Sequence, residues 1–365
     1  MKLYWNRGDY DWQPERYKYS VEQMMLTLFP GERPEYPQEP AGAGEDWARF
    51  AVTPGKTWVT VTAQVAREDR EALGRARFPR QKLDEPPEKV YHTLQHGLKM
   101  AFYRAGVTLL GKEPPWGALT GVRPVKLPTR AMLAGATPKQ AQRELERDFR
   151  VSPVRAALAV DCAKASLAVD KDLRENQVSV YIGVPFCPTR CAYCSFVSAD
   201  VGRTLKLVEP YLEGVLREIA VTGESLRRAG KTVHSLYVGG GTPTTLSADQ
   251  LKKLLEAVHR DLPVEGCVEY TVEAGRPDTI TPEKLEIAKE YGVTRVSINP
   301  QTLNDDILRG IGRKHSSDDF FRAYYQARKS GIPAINTDII AGLPGDNFSS
   351  FSKTVDQIAE LHPEN

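Results

Sequence analysis

From residue 178 onward, short apolar runs alternate with longer stretches whose apolar positions recur at helical spacing. The apolar runs at 178–184, 235–240, 268–274, 295–299 and 334–340 predict strands. The stretches at 208–228, 247–261, 282–291, 318–330 and 349–361 predict helices. Strand followed by helix, five times over, is the pattern of a parallel sheet with covering helices. Periodicity does not distinguish a flat sheet from a barrel. The fifth helix ends near Leu361, where a sixth strand would be due, so the rhythm predicts a barrel domain at 178–365 truncated before strand six, its C-terminal part missing.

The pattern before residue 178 is less regular. A helix is predicted at 20–29, with Ser20 as its cap. Residues 31–44 read as a loop. Residues 51–65 predict two strands around a Pro54-Gly55 turn. The charged stretch 69–88 reads as an exposed loop. A helix follows at 89–110 and is broken at 113–117. Further helices are predicted at 138–149 and 153–169, each with a proline near its start. Residues 1–150 are therefore read as a smaller α+β domain and 151–177 as a helical connection.

Composition narrows the class. A net charge of +2 over 365 residues argues against a nucleic-acid surface as the main business. No apolar run is long enough to span a membrane. Five cysteines is a low, odd number for a chain of this length, which argues against a disulfide framework and for a reducing, cytoplasmic setting.

Three of those cysteines are clustered. The stretch GVPFCPTRCAYCSF at 183–196 spaces Cys187, Cys191 and Cys194 as C-x3-C-x2-C, directly after the first strand of the alternating region. Thiolates bind soft metals and iron–sulfur clusters. A closed zinc site needs four ligands, and the loop offers three. His234 and Cys267 are distant in sequence. A [4Fe–4S] cluster held by three cysteines leaves one iron open, and the end of a parallel strand is where such folds place their sites. His92 and His96 stand four apart on a helix, but no Glu follows His92 to make a zinc-protease motif, so they read as packing or surface residues. Cys162 reads as a buried apolar residue and Cys267 as structural.

This loop resembles that of the radical S-adenosylmethionine (SAM) superfamily, and Tyr193 before the last cysteine fits the same pattern. The resemblance implies that the open iron chelates SAM, whose reductive cleavage gives a 5′-deoxyadenosyl radical that abstracts hydrogen. YVGGGTP at 237–243 is similar to the superfamily's glycine motif, which binds the SAM amino group. Read from residues alone it is equally a tight strand-to-helix turn, and it lacks the ending of a phosphate loop. The ends of the next two strands carry Glu273 and Gln301, Asp338 lies inside the last strand run, and Arg313 lies in RGIGRKH at 309–315. Without a resemblance, Glu273 reads as a carboxylate paired with Arg276. Asp338, inside a strand run, is costly unless paired or hydrogen-bonded.

Together these stretches resemble the oxygen-independent coproporphyrinogen III dehydrogenase group. That resemblance places SAM against Tyr181, Tyr193, Gly240, Gly241, Thr242, Glu273, Gln301, Arg313 and Asp338, with Asp338 on the ribose. The departures at Phe196, at EAGRPD (273–278) and at INPQT (298–302), with the long N-terminal domain containing LTGVRP (119–124), are similar to the HemZ type of the group. The fold implied is a partial (β/α) parallel-strand barrel. The implied activity is oxidative decarboxylation of two coproporphyrinogen III propionates to vinyls, giving protoporphyrinogen IX in haem biosynthesis. A tetrapyrrole substrate and a flavodoxin- or ferredoxin-like electron donor come with it, and Arg276 is a candidate for holding propionates. No catalytic side chain is assigned. The alternatives are a haem-binding chaperone of the same superfamily, a radical SAM enzyme on another substrate, or a zinc-binding structural domain.

Overall fold

The computed structural model describes residues 1–6, 10, 12–42, 44–120 and 123–365. Gly121 and Val122 of the LTGVRP stretch lie outside them. The chain divides into two units, Met1–Leu173 and Arg174–Asn365. The helix read as a connection belongs to the first unit.

The first unit contains β1 (Lys2–Asn6), α1 (Lys18–Leu28), β2 (Trp47–Pro54), β3 (Trp58–Arg67), β4 (Arg70–Pro79), α2 (Pro87–Leu110), α3 (Lys126–Leu133), α4 (Pro138–Phe149) and α5 (Pro153–Asp172). Its sheet runs β1-β2-β3-β4, with β1 parallel to β2 and the other pairs antiparallel. The hairpin turns where expected, closed by the Gly55 amide donating to the Trp58 carbonyl at 2.8 Å. One face of the sheet buries Phe50, Val59, Val61 and Val65 against Leu94, Leu98 and Phe102 of α2. A separate small core joins Leu145 of α4 to Ala156 and Val160 of α5.

Three expectations fail here. Ser20 is not a cap: α1 starts at Lys18, and the Ser20 hydroxyl is buried and accepts from Gln95 Nε2 at 2.7 Å. The charged stretch at 69–88 contains the strand β4 in its first half. In β4 the charged side chains point outward and Ala72, Gly74, Ala76 and Phe78 point inward. Cys162 is exposed rather than buried.

The second unit contains β5 (Gln177–Val184), β6 (Phe186–Cys187), β7 (Ala199–Asp200), α6 (Val201–Thr204), α7 (Val208–Arg228), β8 (Thr232–Gly240), α8 (Ala248–Asp261), β9 (Glu269–Glu273), α9 (Pro282–Glu290), β10 (Arg295–Ser297), α10 (Asp305–Gly310), α11 (Ser317–Ser330), β11 (Ala334–Asn336) and α12 (Phe348–Glu360). The main sheet is all parallel in the order β11-β10-β9-β8-β5. Each strand thus lies beside its predecessor, the singly wound order of a partial (β/α) barrel rather than a doubly wound sheet.

The strands have unlike faces. Ile182, Val184, Leu236, Val238, Val272, Val296 and Ile335 pack against α7, α8, α9, α11 and α12 in one core. The opposite face is polar: Ser179 bonds Ser235 at 2.7 Å, and Arg295 bonds Thr271 at 3.0 Å and Glu269 at 2.9 Å. Helix starts are fixed locally. Ser247 and Ser316 form capping boxes with Gln250 and Asp319, which satisfy amides the first turn leaves free.

Candidate active site

The site forms where β5, β8, β9, β10 and β11 end. After β5 the chain turns at Pro185, and β6 pairs with β7, pinching off the cysteine-bearing loop between them. The Pro185 carbonyl accepts from the Ala199 amide at 2.8 Å at the base of that pinch. Cys187 is buried, whereas Cys191 and Cys194 are half-buried, and all three are free. The three thiols line one cavity of about 340 Å³ with Gly240, Gly241, Thr242, Glu273, Gln301, Arg313 and Asp338. That volume lies within the usual small-molecule range of ~300–1,000 Å³.

The glycine run of β8 is a packing requirement before it is anything else. The Gly241 amide donates to the Val184 carbonyl at 2.7 Å, and the Thr242 amide to the Phe186 carbonyl at 2.8 Å. A Cβ on Gly241 would stand 2.7 Å from the Phe186 carbonyl oxygen and 2.9 Å from Cys187 Sγ. Gly240 has φ +105°, in the region that favours glycine. The Thr242 hydroxyl faces Cys187 Sγ at 3.5 Å.

Arg276 is almost fully buried, and its bonding differs from both expectations for it. Its guanidinium forks onto the Asp278 carboxylate at 3.1 and 3.2 Å, donates to Thr189 Oγ1 at 2.9 Å, and reaches Cys191 Sγ at 3.8 Å. It is therefore paired with Asp278 rather than Glu273. So engaged, it is not offered to a propionate. Arg313 is buried too, with Nη1 donating to the Asn299 carbonyl at 2.7 Å and the Gly275 carbonyl at 3.2 Å, and Nε to Tyr193 Oη at 3.2 Å.

Two carboxylates face the cavity. Burial, and then the nearby Asp338, push the Glu273 carboxyl up to about 7. Asp338 lies beyond the end of β11, not within a strand, and is exposed. It accepts from Asn299 Nδ2 at 3.1 Å and Asn336 Nδ2 at 3.0 Å. Gln301 sits between these ends with φ +68°, a backbone conformation rare for a residue with a side chain. Its amide donates to the Asp338 carbonyl at 3.2 Å, and its carbonyl accepts from the Ile340 amide at 2.9 Å.

Tyr181 does not join this set. It projects from the polar face of β5, mostly exposed, and stacks on Tyr237 with ring centroids 5.8 Å apart. His234 and Cys267 lie outside the cavity lining, so neither stands beside the three thiols. Residue reasoning had not singled out Thr189, Asp278, Asn299 or His315. Asn299 and Asp278 each lie within two residues of a position that was singled out. Thr189 lies two residues from both Cys187 and Cys191, and His315 lies two beyond Arg313. His315 is buried, and burial followed by the charge of Arg313 lowers its imidazole to about 4.

The donor set fits an iron–sulfur cluster. Three thiols open onto one cavity, and the glycine beside Cys187 leaves space that a Cβ would fill. Among the described residues no three of His, Cys, Asp or Glu close on a single ion position. In a cluster each thiolate takes a different iron, so its ligands need not converge on one point.

The comparisons with known proteins agree. Residues 181–358 match the radical SAM superfamily. The oxygen-independent coproporphyrinogen-III oxidase-like protein HemZ of Bacillus subtilis is 39% identical over 257 residues, which is 70% of this chain and 51% of that protein. The heme chaperone HemW of Bacillus subtilis is 37% identical over 51% of this chain and 48% of that protein. The anaerobic coproporphyrinogen III oxidase 1 of Cereibacter sphaeroides is 33% identical over 51% of this chain and 41% of that protein. The chain spans about half the length of these curated relatives. By the matched residues and the thiol pocket they enclose, the chain belongs to the radical SAM superfamily, whose members use a [4Fe–4S] cluster and SAM.

Proposed function

We propose that this chain carries the radical-generating site of a cytoplasmic enzyme that decarboxylates coproporphyrinogen III oxidatively to protoporphyrinogen IX, in haem biosynthesis. Cys187, Cys191 and Cys194 would hold the cluster. Tyr193, Gly240, Gly241 and Thr242 would line SAM on one side of the cavity, and Glu273, Gln301, Arg313 and Asp338 on the other. The observation that carries this reading is that all three thiols open onto one cavity with Glu273, Gln301 and Asp338. When bound, the cluster and SAM supply the hydrogen-abstracting equivalent. Each turn on a propionate removes one hydrogen atom from carbon, releases carbon dioxide, and passes one electron to an external one-electron acceptor.

The chain's own residues orient and shield. Arg276 fixes the Cys191 end of the loop through Thr189, and Thr242 faces Cys187. Glu273, with its carboxyl raised to about 7, ionises readily opposite a cationic ligand such as the SAM ammonium. Similarity to HemZ over 70% of the chain supports the tetrapyrrole substrate. Similarity to HemW supports a second reading, a haem chaperone. A flavodoxin- or ferredoxin-like protein would deliver the electron that starts each cycle.

The test is anaerobic reconstitution with iron and sulfide, followed by electron paramagnetic resonance with and without SAM. A reduced-cluster signal that shifts on adding SAM and is absent in Cys191→Ala supports the cofactor assignment. Coproporphyrinogen III should then stimulate 5′-deoxyadenosine formation. Haem binding without decarboxylation would favour the chaperone, and tightly bound zinc without a cluster would sink both.

A further inference from the structure

We propose that the first unit carries a tetrapyrrole-binding groove of its own, between α2, α3 and α5, shaped for a flat apolar macrocycle edged with carboxylates. The choice of a tetrapyrrole rests on the function proposed above; the groove itself does not. It encloses about 1300 Å³, more than the ~300–1,000 Å³ typical of small-molecule sites. Its cations come from two elements. Lys99 stands on α2, and Arg123, Lys126 and Arg130 lie in and just before α3.

Among the described residues no Asp or Glu lines the groove. Burial lowers the Lys99 ammonium, and no carboxylate acts to raise it. The acid that acts on His96, Asp148, is already forked by Arg147 at 2.6 and 2.8 Å. Arg123, Lys126 and Arg130 are exposed at the rim and Lys99 is half-buried, so all four are free to meet anions, and guanidinium groups suit carboxylates.

Between the cations the walls are carbon. Leu119, Leu127, Leu133 and Phe149 line the groove, and Leu133 is 68% exposed. The His96 ring meets Phe149 edge-on at 5.3 Å. A hollow with apolar walls and a cationic rim matches a macrocycle that is greasy across its face and acidic at its edge. A simple phosphate or citrate would leave the carbon walls wet. His92 and His96 stand one helical turn apart on α2 and both line the groove. They offer imidazoles should the macrocycle hold iron.

The test is fluorescence titration of the full chain with coproporphyrin III, the stable oxidised form of the proposed substrate, and absorbance titration with haemin. The chain with Cys187, Cys191 and Cys194 all changed to Ala should still bind. The Lys99→Glu/Arg123→Glu/Arg130→Glu variant should bind at least about tenfold more weakly, the loss of one charge-assisted contact or more. Lys56→Glu, in the β2–β3 turn outside the groove, should bind like the parent. A Soret shift with haemin that disappears in His96→Ala marks an iron macrocycle as the occupant. Affinity that rises with the number of carboxylates, whatever the metal, marks a metal-free one. Unchanged affinity in the triple charge reversal, or binding that disappears with the three thiols, overturns the groove. The assay of 5′-deoxyadenosine formation reads the proposed function separately. Without substrate stimulation there, but with porphyrin binding lost on charge reversal, the groove stands and the activity falls.

Discussion

The Arg276 guanidinium lies 3.8 Å from the sulfur of Cys191, held in place by a two-pronged bond to Asp278. A buried cation beside a cluster ligand favours the state with the extra electron. Arg276→Met should therefore lower the midpoint potential of the reconstituted cluster. The expected fall is on the order of 60 mV, the one-electron equivalent of a ~1.4 kcal/mol interaction. Arg276→Lys, which keeps the charge, should fall less. A redox titration followed by electron paramagnetic resonance measures both, and equal potentials in all three proteins would refute the effect.

Gly241 should tolerate no side chain. In Gly241→Ala the new methyl meets the Phe186 carbonyl and Cys187 Sγ, and neither is the loose end of a flexible side chain. Iron retained after reconstitution should drop well below that of the parent while the far-ultraviolet circular dichroism stays unchanged. The cost to stability should be about 1–3 kcal/mol. Gly266→Ala, where a Cβ meets nothing within 4 Å, is the matched control and should load fully.

Glu273 should make the ligand-free protein less stable as pH rises. Its carboxyl ionises near 4.5 when unfolded and near 7 when folded. Between those values the folded state holds a proton that the unfolded state has released, so stability falls with increasing pH. The contribution is fully present below 4.5 and lost as pH passes through 7, for a total of about 3 kcal/mol. Glu273→Gln should be the more stable protein at pH 8 and should lose that advantage towards pH 5. Urea midpoints at the two pH values decide it, and a difference independent of pH would count against burial as the cause.

Gly74 should be among the least replaceable positions of the first unit. A Cβ there would stand 1.9 Å from the Ala101 carbonyl oxygen on α2. Gly74→Ala should cost about 3 kcal/mol or more, because helix backbone must move. Leu73→Lys, one position along on the exposed face, should change stability by less than about 0.5 kcal/mol. Chemical denaturation of the two variants side by side gives the comparison.

The same glycine explains what the sequence concealed. β4 alternates like a strand, but its inner face is Ala72, Gly74 and Ala76, kept small by the closeness of α2. Small residues between arginines look polar, so the segment reads as a solvated loop. In the second unit the buried faces are Val, Leu and Ile, and α7 was legible to the residue, 208–228. The cysteine loop, the glycine run and Glu273 at its strand end were legible because each is local in sequence. Arg276 was misread because its partner lies two residues ahead in a turn, and a turn can point a side chain either way. Asp338 reads as part of a strand because Ile339 and Ile340 continue the apolar run past the β10–β11 ladder, which ends at Asn336 with an isolated bridge of Gln301 to Ile339 beyond it. Tyr181 matches a motif position, and its ring stacks on Tyr237 on the polar face of the sheet.

The two faces of the parallel strands answer to different demands. Val238 and Val272 belong to the packing that holds the unit together. Tyr237 and Thr271, one residue away along the same strands, face the polar side. Exchanges on the polar side need not repack the helices behind it. A lineage could re-tool what this sheet accommodates while the apolar packing stays as it is.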